Sequence, residues 1–153
     1  HKNTGRPLAE GKWFEKFRSN YLDVDNEPLY PFGYGLSYTS FEYSDIKLLP
    51  GNGKDIHARI AVTVTNKGKY DGEEVVQLYI RDEVASITRP IKELKGFNKI
   101  MLKSGENSTF TFDIKDEQLG FYDNQMKFIV EKGDFTFMIG GNSRDLQEIK
   151  FTL

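Results

Sequence analysis

From Phe41 to Leu153 apolar residues recur at every second position in short runs, and Gly, Asn and Asp break the runs apart. A period of two is the signature of half-buried β-strands, because successive side chains of an extended backbone point to opposite faces. Ile60, Val62 and Val64 share one face of such a run, while Arg59, Thr63 and Thr65 share the other. Val76, Leu78 and Ile80 alternate with Val75, Gln77, Tyr79 and Arg81, so both faces are fairly apolar and the run predicts a central strand. Further ladders follow at Phe110, Phe112, Ile114, then Phe128, Val130, then Phe135, Phe137, Ile139, and finally Ile149, Phe151, Leu153. Seven or eight strands over about 115 residues fit an all-β, two-sheet sandwich, and a closed barrel satisfies the same periodicity. Between the runs, Asn66-Lys67-Gly68, Tyr70-Asp71-Gly72, Ser104-Gly105, Lys132-Gly133-Asp134 and Gly140-Gly141-Asn142 supply residues that tolerate positive φ.

Residues 1–37 differ in texture. They hold three of the five prolines, Pro7, Pro28 and Pro31, and the only Trp, without sustained alternation. The chain therefore divides into an irregular, aromatic-rich N-terminal connector over 1–37 and a sandwich over 38–153. A short helix is expected around Leu8 to Asn20, where Trp13 and Phe17 stand at i, i+4. Aromatic residues make up 14% of the sequence and fall into two groups. Phe110, Phe112, Phe128, Phe135, Phe137 and Phe151 follow strand alternation and are expected in the core. Trp13, Phe14, Phe17, Tyr21, Tyr30, Phe32, Tyr34 and Tyr38 do not, and are expected to be buried against the sandwich or a neighbouring domain, with stacking of a sugar as the alternative. Ordering the connector costs more backbone entropy than its own aromatics return, so it needs an external surface.

Several classes of function are excluded. Twenty-one Lys and Arg against 23 Asp and Glu leave a net charge of −2, which gives no attraction to nucleic acid or to an anionic membrane. Without cysteine there is no disulfide, thiolate nucleophile or thiolate metal site, and the compartment is not legible from that absence. No run approaches a membrane span, and the sequence opens at His1 with no charged-then-apolar leader, like a piece cut from something longer. Glycoside hydrolysis needs two facing carboxylates. The adjacent pairs Glu73-Glu74, Asp82-Glu83 and Asp116-Glu117 lie instead at expected strand ends and turns, where acids are ordinarily solvated. His1 and His57 lack metal-ligand spacing, and no serine sits in a G-x-S-x-G elbow. Gly33-Tyr34-Gly35 follows Pro31 and precedes no helix, so it is a tight turn and not a phosphate loop. Asn107-Ser108-Thr109 is a formal glycosylation triplet that also begins a strand, and it receives no function. No catalytic residue, cofactor site or metal site is assigned.

The run Pro31 to Thr39, PFGYGLSYT, resembles the junction motif of the family 3 glycoside hydrolases, where an α/β domain hands over to a fibronectin type III-like sandwich. The resemblance continues through Val62 to Gly68, Gly72 to Tyr79, Ser86 to Phe97, Leu102 to Glu106 and Gly133 to Gly140, and upstream through His1 to Pro7, so it covers essentially the whole sequence. It implies an immunoglobulin or fibronectin type III-like sandwich, although the buried Trp and inter-sheet disulfide of antibody domains are missing. In the family the nucleophile and acid/base residues lie on other domains, so none maps here. The resemblance implies an accessory C-terminal domain of a periplasmic or secreted β-glucosidase, non-catalytic alone. Its partners would be the catalytic domains of the same polypeptide, and β-linked oligosaccharides or aryl β-glucosides would be the parent's substrates. Interdomain contact is assigned to Trp13, Phe14, Phe17, Tyr30, Phe32, Tyr34 and Tyr38, and to Arg89 and Pro90 in Ser86 to Phe97. That segment would equally serve as a plain crossover between sheets. A carbohydrate-binding module and a structural or adhesive immunoglobulin-like domain are the alternatives.

Overall fold

The computed structural model describes residues 27–153. The expected helix around Leu8 to Asn20 and the positions of Trp13, Phe14, Phe17 and Tyr21 lie outside them. Nine strands follow in order: β1 Phe41–Pro50, β2 Ala58–Asn66, β3 Gly72–Asp82, β4 Glu93–Leu102, β5 Asn107–Ile114, β6 Phe121–Tyr122, β7 Phe128–Ile129, β8 Asp134–Gly140 and β9 Gln147–Thr152. One helical turn, α1 Asp116–Leu119, precedes β6. Seven strands build the sandwich, as a three-stranded sheet β1-β2-β5 and a four-stranded sheet β4-β3-β8-β9, antiparallel throughout. Among the described residues no ladder joins the two sheets, so the barrel alternative falls away.

The alternation in the sequence becomes the core directly. Ile60 stands opposite Phe112 and Val62 opposite Phe110, while Leu78 faces Ile139 and Ile80 faces Phe137 across the second sheet. Ile60, Val62, Val64, Val76, Leu78, Phe135, Phe137 and Ile139 are fully or almost fully buried. Each of them contributes about 1.5–3 kcal/mol by leaving water. Phe151 of β9 stacks on Phe137 with ring centroids 5.4 Å apart.

Three local expectations change. Phe128 is not a core residue: it belongs to the two-stranded ribbon β6-β7, is 42% exposed and packs edge-on against Tyr122. A two-residue strand beside a turn imitates alternation without having a sheet behind it. Among the five turn clusters only Gly105 adopts positive φ; Gly68, Gly140 and Gly141 are demanded by space, because a Cβ there would collide with Thr39, the Asp145 carbonyl and the Glu74 carboxylate respectively. The acidic pairs are also not uniformly solvated. Asp82 points to the core side of β3, opposite Phe135, with a side chain only 4% exposed, and Glu74 accepts a hydrogen bond from the Tyr43 hydroxyl at 2.7 Å.

At the end of β2, Asn66 is wholly buried and every polar group of its side chain is used. Oδ1 accepts from the Thr39 hydroxyl at 2.5 Å and from the Gly68 amide at 3.0 Å, and Nδ2 donates to the carbonyls of Tyr70 at 2.8 Å and Leu102 at 3.0 Å. Its backbone amide donates to Glu106 and its carbonyl accepts from Gly105. One residue thus joins the connector, the β2–β3 turn, the end of β4 and the β4–β5 turn. Asn66→Ala would orphan several buried groups at about 1–3 kcal/mol each, so we expect a loss of at least about 3 kcal/mol, read as a lowered urea midpoint.

Candidate docking surface

The described residues ahead of β1, 27–40, which include the end of the connector, form no helix or strand, and residues 30–33 cross the outer face of the four-stranded sheet. Its course is set by a tight turn at Pro31 to Tyr34, closed by the Tyr34 amide on the Pro31 carbonyl at 2.9 Å. Gly33 has φ 84°, the value a type II turn requires at its third position. A Cβ there would also strike the Gln77 side chain and the Gly141 carbonyl, so Gly33 lets the backbone lie directly on the sheet. The Ser143 amide holds the Phe32 carbonyl at 2.8 Å.

Beneath this crossing, the outward side chains in the middle of β3 and β8 are buried, against the usual pattern of a sandwich with a solvated outer face. Gln77, Tyr79, Thr136 and Met138 are each less than a tenth exposed. The polar ones are satisfied in sequence: the Tyr79 hydroxyl donates to Gln77 Oε1, Gln77 Nε2 donates to the Gly141 carbonyl, and the Thr136 hydroxyl donates to Glu83. Burial pushes the Tyr79 phenol up from its ordinary value.

The connector's upper side is the opposite case. Pro31 is buried, but Leu29, Tyr30, Phe32, Tyr34, Leu36 and Tyr38 all point outward, Phe32 at 67% and Tyr38 at 95% exposure. The rings of Tyr30 and Tyr34 lie 5.2 Å apart. The expected burial of these aromatics is therefore not provided by the described sandwich. Alongside them runs a groove of about 660 Å³, with Tyr30, Pro31 and Phe32 on one wall and Tyr79, Ile91 and Leu94 on the other. Lys92 closes one side by donating to the Ser143 carbonyl at 2.8 Å. The groove brings together the two stretches that the sequence singled out, the connector and Ser86 to Phe97.

Within the second stretch, Arg89 and Pro90 part company. Pro90 is exposed, whereas the Arg89 side chain is only 8% exposed. Its guanidinium donates to Asp82 Oδ2 at 3.1 Å, Glu93 Oε1 at 3.1 Å and the Leu119 carbonyl at 2.9 Å, and lies 4.8 Å from the Phe121 ring centre. Arg89 is held within the sandwich because Asp82 faces inward and needs a cation. Burial pushes the neighbouring Glu93 carboxyl up, but Lys95 and Arg89 outweigh that and hold it below its ordinary value. Farther along the loop, the Ser86 amide donates to Glu131, and hydrogen bonding to the Ser86 side chain and then to its backbone lowers the Glu131 pKa.

No chemistry of catalysis assembles from these groups. Among the described residues no cluster of three His, Cys, Asp or Glu side chains is placed to hold a metal. His57 is half-buried and pairs with Asp116 at 2.6 Å. Sequence reasoning missed Tyr79, Ile91 and Leu94 as groove walls. The available signal was the two-faced apolar character of β3, which already implied a cover on its outer side.

A family model described as a fibronectin type III-like domain matches residues 74–143. The periplasmic beta-glucosidase of Salmonella typhimurium is 47% identical over 154 residues, covering 100% of this chain and 20% of that protein. A putative beta-xylosidase of Formosa agariphila is 46% identical over 138 residues, covering 90% and 18%. The crystal structure of a beta-glucosidase from Listeria innocua in complex with isofagomine superimposes with a TM-score of 0.87 at 39% identity, covering 99% of this chain and 21% of that one. The chain spans about a fifth of the length of the curated relatives it matches.

Two substitutions test the electrostatics. Arg89→Met leaves the buried Asp82 carboxylate unpaired, and we expect a loss of about 3–5 kcal/mol in urea unfolding, with Arg89→Lys recovering only part because an ammonium lacks the planar fork. For Glu74, desolvation raises the carboxyl pKa, and the hydrogen bond from Tyr43 offsets it in part. A raised folded value means that ionisation is disfavoured in the fold. The group's contribution is full below its unfolded pKa and is lost as pH rises through the folded one. Glu74→Gln keeps an acceptor for Tyr43 and removes the titration, so its urea midpoint should gain on the native protein as pH climbs from the ordinary carboxylate range to neutrality. A pH-independent difference would refute this.

Proposed function

The chain belongs to the family 3 glycoside hydrolases, as the fibronectin type III-like part of one, and from this we propose that it is a non-catalytic accessory domain that supports the catalytic domains of the same polypeptide. One observation carries the reading: six large apolar side chains between Leu29 and Tyr38 project from a connector whose other side is fastened to the sandwich. A contiguous apolar surface of that kind marks an interaction site. Pro31, Gly33 and the Phe32 carbonyl fix the connector's position, so a catalytic domain seated on the aromatics and in the adjacent groove would be held at a defined angle. Pro90 borders the same side and joins this contact, as do Trp13, Phe14 and Phe17 upstream of the described residues.

The parent's activity follows by kinship. Its relatives are named as beta-glucosidases and a beta-xylosidase, so the proposed reaction is hydrolysis of a β-glycoside with retention, on β-linked oligosaccharides or aryl β-glucosides. The sugar is selected on the catalytic domains, since the same sandwich type accompanies both names. A periplasmic or secreted location is proposed from the name of the Salmonella relative. Among the described residues no helix is long and apolar enough to cross a membrane.

The exposed aromatics also favour a second reading, in which they stack sugars as a carbohydrate-binding module. One experiment separates the two. The triple substitution Phe32→Ser, Tyr34→Ser, Tyr38→Ser should leave the thermal midpoint of the isolated domain nearly unchanged, yet lower both the midpoint and the aryl β-glucoside turnover of the longer enzyme. The isolated domain should give no turnover and no signal with cello-oligosaccharides up to millimolar concentration. Saccharide binding that vanishes in the triple variant, with the longer enzyme unaffected, would overturn interdomain support in favour of the module.

A further inference from the structure

Six asparagines lie between residues 27 and 153, and only Asn52 precedes a glycine. Asn52 and Gly53 are both exposed, at the tip of the loop that joins β1 to β2. Neither the Asn52 side chain nor the Gly53 amide is engaged in a hydrogen bond within the described residues; the Gly53 carbonyl alone accepts, from the Ile56 amide at 3.4 Å. The other five asparagines differ in ways that bear on reactivity. Asn66 is buried and fully bonded, and Asn98 and Asn107 are extended within β4 and β5 with residues other than glycine after them. After Asn124, the Gln125 amide is tied to Asp123 Oδ1 at 2.8 Å. Asn142 has its Oδ1 held by the amides of Arg144 and Asp145 and its Nδ2 held by the Asp145 carboxylate.

We propose that Asn52-Gly53 is a site of spontaneous covalent modification, deamidation to isoaspartate, and that the modified protein becomes a substrate for a methyltransferase that recognises isoaspartyl carboxylates. The Gly53 amide nitrogen, giving its proton to solvent base, attacks Cγ of Asn52. The new N–Cγ bond forms as the Cγ–Nδ2 bond of Asn52 breaks and ammonia leaves, closing a five-membered succinimide. Water then opens the ring. Attack at the backbone carbonyl of residue 52 gives isoaspartate, in which the backbone runs through the former side chain, and attack at Cγ gives aspartate. One water enters, one ammonia leaves, and nothing is oxidised or reduced. Gly53 favours closure because it offers no Cβ to hinder the ring and its backbone turns freely.

The fold tolerates the product. The β1–β2 ladder ends at Pro50 opposite Ala58, and Arg59 braces that end by donating to the Pro50 carbonyl at 3.3 Å. An extra backbone atom at residue 52 therefore falls beyond the last pair, and the added charge falls in solvent. The modification marks the age of the protein without unfolding it.

The test is warm, mildly alkaline incubation of the 153-residue chain beside its Gly53→Ala variant, with time points digested by trypsin. The Cβ of alanine would stand 3.3 Å from the flexible Ile56 Cδ1, so the variant should fold with an unchanged thermal midpoint. In the native protein, the tryptic peptide 48–54 should gain the mass of amide-to-carboxylate conversion. It should also accept methyl groups from S-adenosylmethionine through an isoaspartyl methyltransferase. Gly53→Ala should slow both several-fold. Equal rates in the two proteins, modification concentrated at another asparagine, or a mass gain without methyl acceptance would each overturn the proposal.

Discussion

The buried amide of Asn66 is where one end of this sandwich is assembled. The β2–β3 turn, the end of β4 and the hydroxyl of Thr39 converge on a single side chain whose donors and acceptor are all taken. A buried polar hub of this kind is stabilising only while complete, since each group it satisfies would otherwise be stranded away from water. That condition converts a local sequence, Asn66 followed by Gly68, into a long-range restraint: the connector must arrive with Thr39 in place. The aromatics of the connector are then presented in one orientation, because Thr39 fastens one end and the turn at Pro31 to Tyr34 fastens the other.

Arg89 plays the matching part along the opposite ends of β3 and β4. It neutralises Asp82, reaches Glu93, and ties both to α1 through the Leu119 carbonyl. With both ends locked and the middle of β3 covered on both faces, the four-stranded sheet behaves as a platform. What it leaves unsatisfied is apolar area on the connector's outer side, from Leu29 to Tyr38, on which the proposed interdomain contact rests.

The core was legible in the sequence because its physics is local. Period-two alternation sends Ile60, Val62 and Val64 to one side however the strand is paired, and the two-faced pattern of β3 already required a cover. What the sequence leaves open is of another kind. Arg89 beside Pro90 has the look of a surface loop, and only the register that turns Asp82 inward opposite Phe135 reveals that the arginine is needed inside. Phe128 alternates with its neighbours like a core residue, but its strand is two residues long and has no sheet behind it. Tyr30, Phe32, Tyr34 and Tyr38 fall outside any strand alternation, a pattern that predicts a partner which the described sandwich does not supply. Which of their neighbours form the groove depends on Gly33 reaching Gln77, a contact between residues far apart in sequence.

The central claim is that the connector's outer side is covered in the longer polypeptide and bare in this domain alone. Hydrogen–deuterium exchange measures it most directly, by following peptides spanning 29–38 in the isolated domain and in the full-length enzyme. The account predicts fast exchange at the amides of Leu36 to Tyr38 in isolation and marked slowing in the enzyme, with the core strands β2 and β8 protected alike in both. Equal exchange of 29–38 in the two proteins would contradict it.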